Sequence, residues 1–349
     1  MTEERRLLWF RRLARAGALL AACVVVLGAW VRLTDAGLGC PDWPGCYGHL
    51  FPQTTHHFAE AVHEMVHRYF ASTLGAIIVA LLVFAWLNRR GRGQPLLPVA
   101  LLFLLVCLQG LLGMKTVTLL LQPLIVTSHL LGGLSTLGLL WWLSLEPGAR
   151  PLTHPEISLR KFALVTSGAL VLQIALGGWT SSNYAAIACP DLPTCQRSWW
   201  PDMDFRNAFV LWRGLGVDYE GGVLASPARV AIHFTHRLGA VVAGTLLIAT
   251  GLLVLARATG PALRFLGGLL VFAVLLQIAI GVSMVHFHFP LVLATMHNGG
   301  GALLVIVMVT LLRALWPRAL EARAAGARAR PPESAVGMVT LPRVDAPPR

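Results

Sequence analysis

Charge is what this chain has least of. Asp and Glu number 16 among 349 residues, Lys and Arg 28, and charged side chains are only 13% of the whole. With 56% hydrophobic residues and a mean hydropathy of +0.68, that excludes an ordinary soluble domain, in which about 25% of residues are charged. Within the long apolar runs Glu64 is the lone carboxylate. A di-iron carboxylate bundle, which needs two Glu-x-x-His motifs and further glutamates, is thereby removed. Cysteine is scarce as well, with six residues, and the spacing of the loop pairs is not the two-to-four-residue interval of structural zinc sites. The net charge of +12 comes with no nucleic-acid-binding module. It reads as membrane insertion and attraction to anionic lipid, so nucleic acid is not an expected partner.

What the chain has in abundance is apolar runs of about 20 residues, the length a helix needs to cross roughly 30 Å of hydrocarbon. Eight occur, over 13-33, 61-87, 95-116, 123-145, 160-181, 229-256, 262-286 and 289-316. The first follows the basic stretch "RRLLWFRRLARAG" but shows no small-residue cleavage site, which predicts an uncleaved helix. Most Lys and Arg fall in segments that share one side of the membrane if the N-terminus is cytoplasmic, so both termini are expected there. Residues 317-349, rich in Ala, Arg and Pro, have little to bury and predict a disordered cytoplasmic tail.

The chain repeats itself. "GAWVRLTDAGLGCPDWPGC" at the end of the first span aligns with "GGWTSSNYAAIACPDLPTC" at the end of the fifth, 149 residues on. "EMVHR" pairs with "HFTHR", "LQGLLG" with "LQIAIG", and "IVTSHLLGG" with "LATMHNGG". A longer second loop, by about 20 residues, separates the later matches further. Four crossings per half make the repeats parallel. The expected fold is an all-α integral membrane protein of eight transmembrane helices, arranged as two tandem four-helix bundles related by pseudo-two-fold symmetry along the membrane normal. Residues 1-145 and 160-316 form the two bundles, with a cytoplasmic linker over 146-159.

Of the 12 histidines, four occupy equivalent places: His67, His129, His236 and His297. In an up-and-down bundle the second and fourth helices stand diagonally opposite, and residues at matching depth face each other. Two such imidazoles suit axial ligation of a haem iron, with Gly132, Gly133, Gly299 and Gly300 admitting the flat ring. A single membrane histidine more often bonds a neighbouring helix; four at equivalent depth point to function. Arg68 and Arg237 follow their histidines and are candidates for pairing with haem propionates. His56, His57, His286 and His288 read as surface residues or secondary contacts, His49 and His154 carry no signal, and His63 receives no role.

The halves differ at one telling position. Glu64 stands three residues before His67, where the second half has His233, so the carboxylate shares a helix face with the ligand. A carboxylate at mid-bilayer costs about 2.5 to 3.5 kcal/mol, which invites a role in moving a proton or stabilising positive charge; the structural alternative is a partner for Arg32 or Arg68. Cys40 with Cys46, and Cys189 with Cys195, are spaced for local disulfides on the outer, oxidising side. They serve either as staples over the bundles or as redox-labile bridges. Cys23 and Cys107 are expected to be small core residues.

Together "VRLTDAGLGCPDWPGC", "EMVHR", the histidines of the even spans and "CPDLPTC" resemble the haem A synthase family, in its cysteine-containing bacterial type. The resemblance covers roughly residues 13 to 316. It implies an enzyme of the inner cell membrane that oxidises the C8 methyl group of haem O to a formyl group by successive hydroxylations, for terminal oxidases. It further implies haem b as cofactor between His236 and His297, haem O as substrate between His67 and His129, and Glu64 as the catalytic carboxylate. Haem O synthase as a partner and a homo-oligomer are implied too. A b-type dihaem electron-transfer cytochrome oxidising quinol accounts for the four histidines equally, but not for Glu64.

Overall fold

Inside hydrocarbon, backbone N–H and C=O groups find no partner but each other, so apolar runs must become helices. The computed structural model describes residues 3–52, 57–89, 95–146 and 154–316. The expected tail over 317–349, the middle of the expected linker and His56 lie outside these residues. The helices are α1 (Glu3–Leu33), α2 (Phe58–Leu87), α3 (Leu96–Thr118), α4 (Pro123–Ser144), α5 (His154–Ser182), the single turn α6 (Phe205–Ala208), α7 (Ser226–Arg257), α8 (Pro261–His286) and α9 (Leu291–Ala314). All but α6 are long and apolar enough to cross a membrane. Among the described residues there is no strand. The protein is an all-α integral membrane protein.

Helices run past the apolar runs that predict them. α1 begins at Glu3 and α5 at His154, the latter inside the stretch read as linker. Hydropathy marks only the part of a helix in hydrocarbon, whereas the backbone stays helical into the interface, where polar side chains hydrate. There Arg6 donates to Asn88 Oδ1 at 3.1 Å and Arg11 pairs with Glu146, tying the flanks together.

Two turns show how closely the halves match. Between α3 and α4 the residues Leu120 and Leu121 are left-handed, and between α8 and α9 so are His288 and Phe289. In each, an amide reaches back five residues, Leu121 to Thr116 at 2.8 Å and Phe289 to Met284 at 2.7 Å, closing the helix end as a Schellman turn does. The next helix then starts at once, α4 with Pro123 in its first turn and the Gln122 side chain accepting from Ile125 N–H at 2.9 Å.

Packing is uneven along the bundles. One cluster joins Phe10, Ala14, Ile78, Leu81, Leu102, Leu137 and Leu140; a second joins Leu159, Leu247, Val254, Leu270, Met308 and Leu311. Both fill the half of each bundle nearer the chain termini. The half nearer the disulfides holds the histidines. The bundles meet through α1, α4, α5 and α9, where Trp141 Nε1 donates to Thr310 at 2.8 Å and Arg32 donates to Ser181 O at 2.7 Å.

Candidate functional site

Each of the four histidines lies against a glycine of the membrane-spanning helix that precedes its own. An added Cβ at Gly28 would stand 3.0 Å from His67 Cε1, at Gly113 3.4 Å from His129 Cε1, at Gly177 3.2 Å from His236 Cε1, and at Gly281 3.1 Å from His297 Cε1. Only glycine lets helix and ring come so close. His67 and His129 lie within electrostatic reach of each other, as do His236 and His297. Nδ1 of His129 is buried with no hydrogen-bond partner. Among the described residues no group of three or more His, Cys, Asp or Glu could hold a bare ion. Paired imidazoles without further protein ligands fit an iron that brings four nitrogens of its own, which is what a porphyrin supplies.

The glycines expected to admit the flat ring do something else at two positions. A side chain at Gly132 would collide with Gln109, and one at Gly300 with Gln277. These two glycines make room for glutamines, not for a macrocycle. Gln277 Nε2 lies 3.2 Å from His297 Nδ1, and Gln173 Nε2 lies 3.1 Å from His236 Nδ1. Gln109 and Gln277 stand inside a repeated motif, but a glutamine 20 residues before a histidine carries no local sign of contact.

Glu64 is buried, at 5% exposure, and fully engaged. Its Oε2 accepts the Cys40 N–H at 2.8 Å and its Oε1 pairs with Arg68 Nη2 at 2.5 Å. Arg68 Nη1 in turn donates to the carbonyls of Asp42 at 3.0 Å and Gly45 at 2.5 Å. Of the two structural partners considered for Glu64, Arg68 is the one it meets; Arg32 contacts Asp35 and Ser181. The second half repeats the arginine without the acid. Arg237 donates to Cys189 O at 2.8 Å, Thr194 O at 2.8 Å and Asp191 O at 2.9 Å, and its Nε faces His233 Nε2 at 3.3 Å. Both candidate propionate arginines therefore hold the cysteine loop of their own half.

Each loop is closed by its disulfide, Cys40–Cys46 and Cys189–Cys195, with Cα atoms 4.8 and 4.6 Å apart. Thiol labelling of the membrane-embedded protein with a water-soluble reagent is expected to modify the four loop cysteines only after reduction. Cys23 and Cys107 are exposed rather than core residues: a helix in lipid can turn a small apolar thiol outward at little cost, so burial does not follow from apolarity as it does in water.

An aspartate organises each loop. Asp42 accepts from the amides of Tyr47 at 2.6 Å and Gly48 at 2.8 Å; Asp191 accepts from those of Gln196 at 2.7 Å and Arg197 at 3.0 Å. The Gly48 N–H foremost holds the Asp42 carboxyl below its usual range, and the Thr194 hydroxyl does so for Asp191. A depressed carboxylate contributes stability that is complete above the unfolded value of about 3.9 and is lost as pH falls through the lower folded value. Both residues are half-buried in surface loops, so the effect is local. Hydrogen exchange at Tyr47 and Gly48 is expected to stay protected down to about pH 4 and to lose protection below it. Asp42→Asn should abolish that dependence.

His63 meets Trp30 edge-on at 6.1 Å between ring centroids, while His49, His57, His286 and His288 are exposed. The longer second loop reaches across to the first half. Gln122 Nε2 donates to Leu211 O at 2.8 Å and Tyr219 N–H to Leu120 O at 3.1 Å, while Trp179 Nε1 anchors α6 through Ala208 O at 2.9 Å.

Residues 11–309 match the family described as Cytochrome oxidase assembly protein, COX15-CtaA. A protein of Shewanella oneidensis named "Heme A synthase" is 40% identical over 330 residues, covering 89% of this chain and 97% of the relative. "Heme A synthase" of Halalkalibacterium halodurans is 30% identical over 304 residues, 83% of this chain and 90% of the relative. That of Caulobacter vibrioides is 27% identical over 329 residues, 83% and 91%.

Proposed function

Since the chain belongs to the cytochrome oxidase assembly protein family, COX15-CtaA, we propose that it is a haem A synthase, an oxidoreductase that converts the C8 methyl group of haem O to a formyl group. The observation that carries this reading is the inequality of two otherwise matching imidazole pairs: Glu64 precedes His67 by one helical turn, and its counterpart in the second half is His233. An electron-transfer cytochrome gives such an acid nothing to do.

In this reading haem O lies between His67 and His129 in the half 1-145, and haem b between His236 and His297 in the half 160-316. Haem b, when bound, supplies one-electron transfer. Glu64 is held by Arg68 and the Cys40 amide, and a carboxylate fixed one turn from a ligand is placed to take up a proton lost from the substrate. Arg68 and Arg237 reach a propionate only by exchanging a loop carbonyl for it. The positive-charge distribution supports cytoplasmic termini in the inner membrane, with the disulfides outside. The family resemblance supports haem O synthase as a neighbour and a homo-oligomer.

Extraction and chromatography of the bound pigments test the proposal. Haem O or haem A beside haem b is the expected result. Haem b alone, under conditions in which the cell makes haem O, favours the dihaem cytochrome.

A further inference from the structure

His63 is a polar side chain in a place that the second half fills with hydrocarbon. It precedes His67 by four residues, so the two imidazoles share a face of α2, with His63 one turn nearer the start of the helix. The alignment that joins His67 to His236 sets Ile232 at the matching place in α7. Ile232 is fully buried in one cluster with Trp179. Trp30, the counterpart of Trp179, meets His63 edge-on at 6.1 Å. An isoleucine serves this contact in one half, so packing alone gives no reason for an imidazole in the other.

The imidazole is also unsatisfied. Its Nδ1 is buried without a hydrogen-bond partner, and a buried polar atom left unbonded costs free energy that a partner from outside the fold can recover. The first site has acids to receive, since a haem carries propionate groups at its rim. Arg68 is committed to Glu64 and to the carbonyls of Asp42 and Gly45. On α2 the donor left free beside the ligand is His63.

Building on the haem-ligand reading above, we infer that His63 is a substrate-binding residue of the first half, whose imidazole N–H donates to a propionate carboxylate of haem O. Such a bond is charge-assisted and directional, and a half-turn about Cβ–Cγ presents Nδ1 at either edge of the ring. Ligation through iron alone leaves a porphyrin free to rotate about the iron–imidazole axis, and so does not choose among its peripheral methyl groups. An off-axis bond to one propionate does choose. It fixes which edge of the ring stands toward Glu64, the residue next to His63 in the chain. In the second half the haem is a cofactor in this reading and no methyl need be selected, so Ile232 packs on Trp179 instead.

The test uses full-length protein titrated in detergent with haem O and with its dimethyl ester, binding being followed by the low-spin band. First-half binding is what the parent shows and His67→Ala lacks; equal binding by these two overturns the ligand reading itself, and this inference with it. Given that site, the parent is expected to bind the acid about 10- to 100-fold more tightly than the ester, the worth of a hydrogen bond to a charged group. His63→Ile should abolish that preference by weakening the acid alone. His63→Gln keeps an N–H and should keep the larger part of it; a glutamine variant no better than the isoleucine one refutes donation by the ring. A parent that takes acid and ester equally refutes the carboxylate contact. An isoleucine variant that weakens both by the same factor, or leaves the preference intact, does so too and reduces His63 to a packing partner of Trp30. If the isoleucine variant does not fold, His63→Met is held to the same criterion.

Discussion

Glu64→Gln is expected to leave both haems bound and to cut formation of the aldehyde by about 10²- to 10⁴-fold, the range that a positioned acid or base supplies. Glutamine is the informative replacement because it keeps an oxygen for the Cys40 N–H while removing the charge. Alanine would also strand Arg68, whose side chain is only 12% exposed, and loss of one partner from a buried pair costs about 3–5 kcal/mol. The assay is haem A by chromatography against total haem by absorbance. Haem A output at the parental level would reduce Glu64 to a strut between α2 and the disulfide loop. Loss of haem and of product together would say the same, since a strut and its loop fail as one.

The second large effect separates the halves. His236→Ala or His297→Ala is expected to abolish the low-spin haem b signal, a loss exceeding the roughly 10- to 100-fold typical of an outer-shell change. His67→Ala should leave haem b in place and remove haem O and haem A instead. The two packed clusters lie away from the imidazoles, toward the termini, so an emptied site need not unfold its bundle. If His67→Ala strips haem b while His236→Ala spares it, the assignment of cofactor and substrate to the two halves is reversed.

A common design explains both expectations. Close packing near the termini gives each bundle its rigidity, and the disulfide end, where Arg68 and Arg237 gather loop carbonyls, gives each site a cover. Glu64 belongs to cover and site at once. Its bond to the Cys40 amide makes the carboxylate's position depend on the loop, so a change in the first loop is felt at the first site, whereas the second loop has only His233 beside its arginine.

Membrane helices, the duplication, the four histidines and the acid without a counterpart in the second half were legible from residues alone. Each depends on a periodic or compositional requirement that hydrocarbon imposes locally: apolar length, repeated spacing, the cost of a carboxylate. Contacts between helices impose no such local mark. That Glu64 grips the Cys40 amide, that Arg68 faces the loop, that Gly132 and Gly300 seat glutamines and that Cys23 and Cys107 face outward were decided only when the helices packed. A polar atom in an apolar interior takes whichever partner the neighbouring helix brings within reach, and that choice belongs to the assembled bundle.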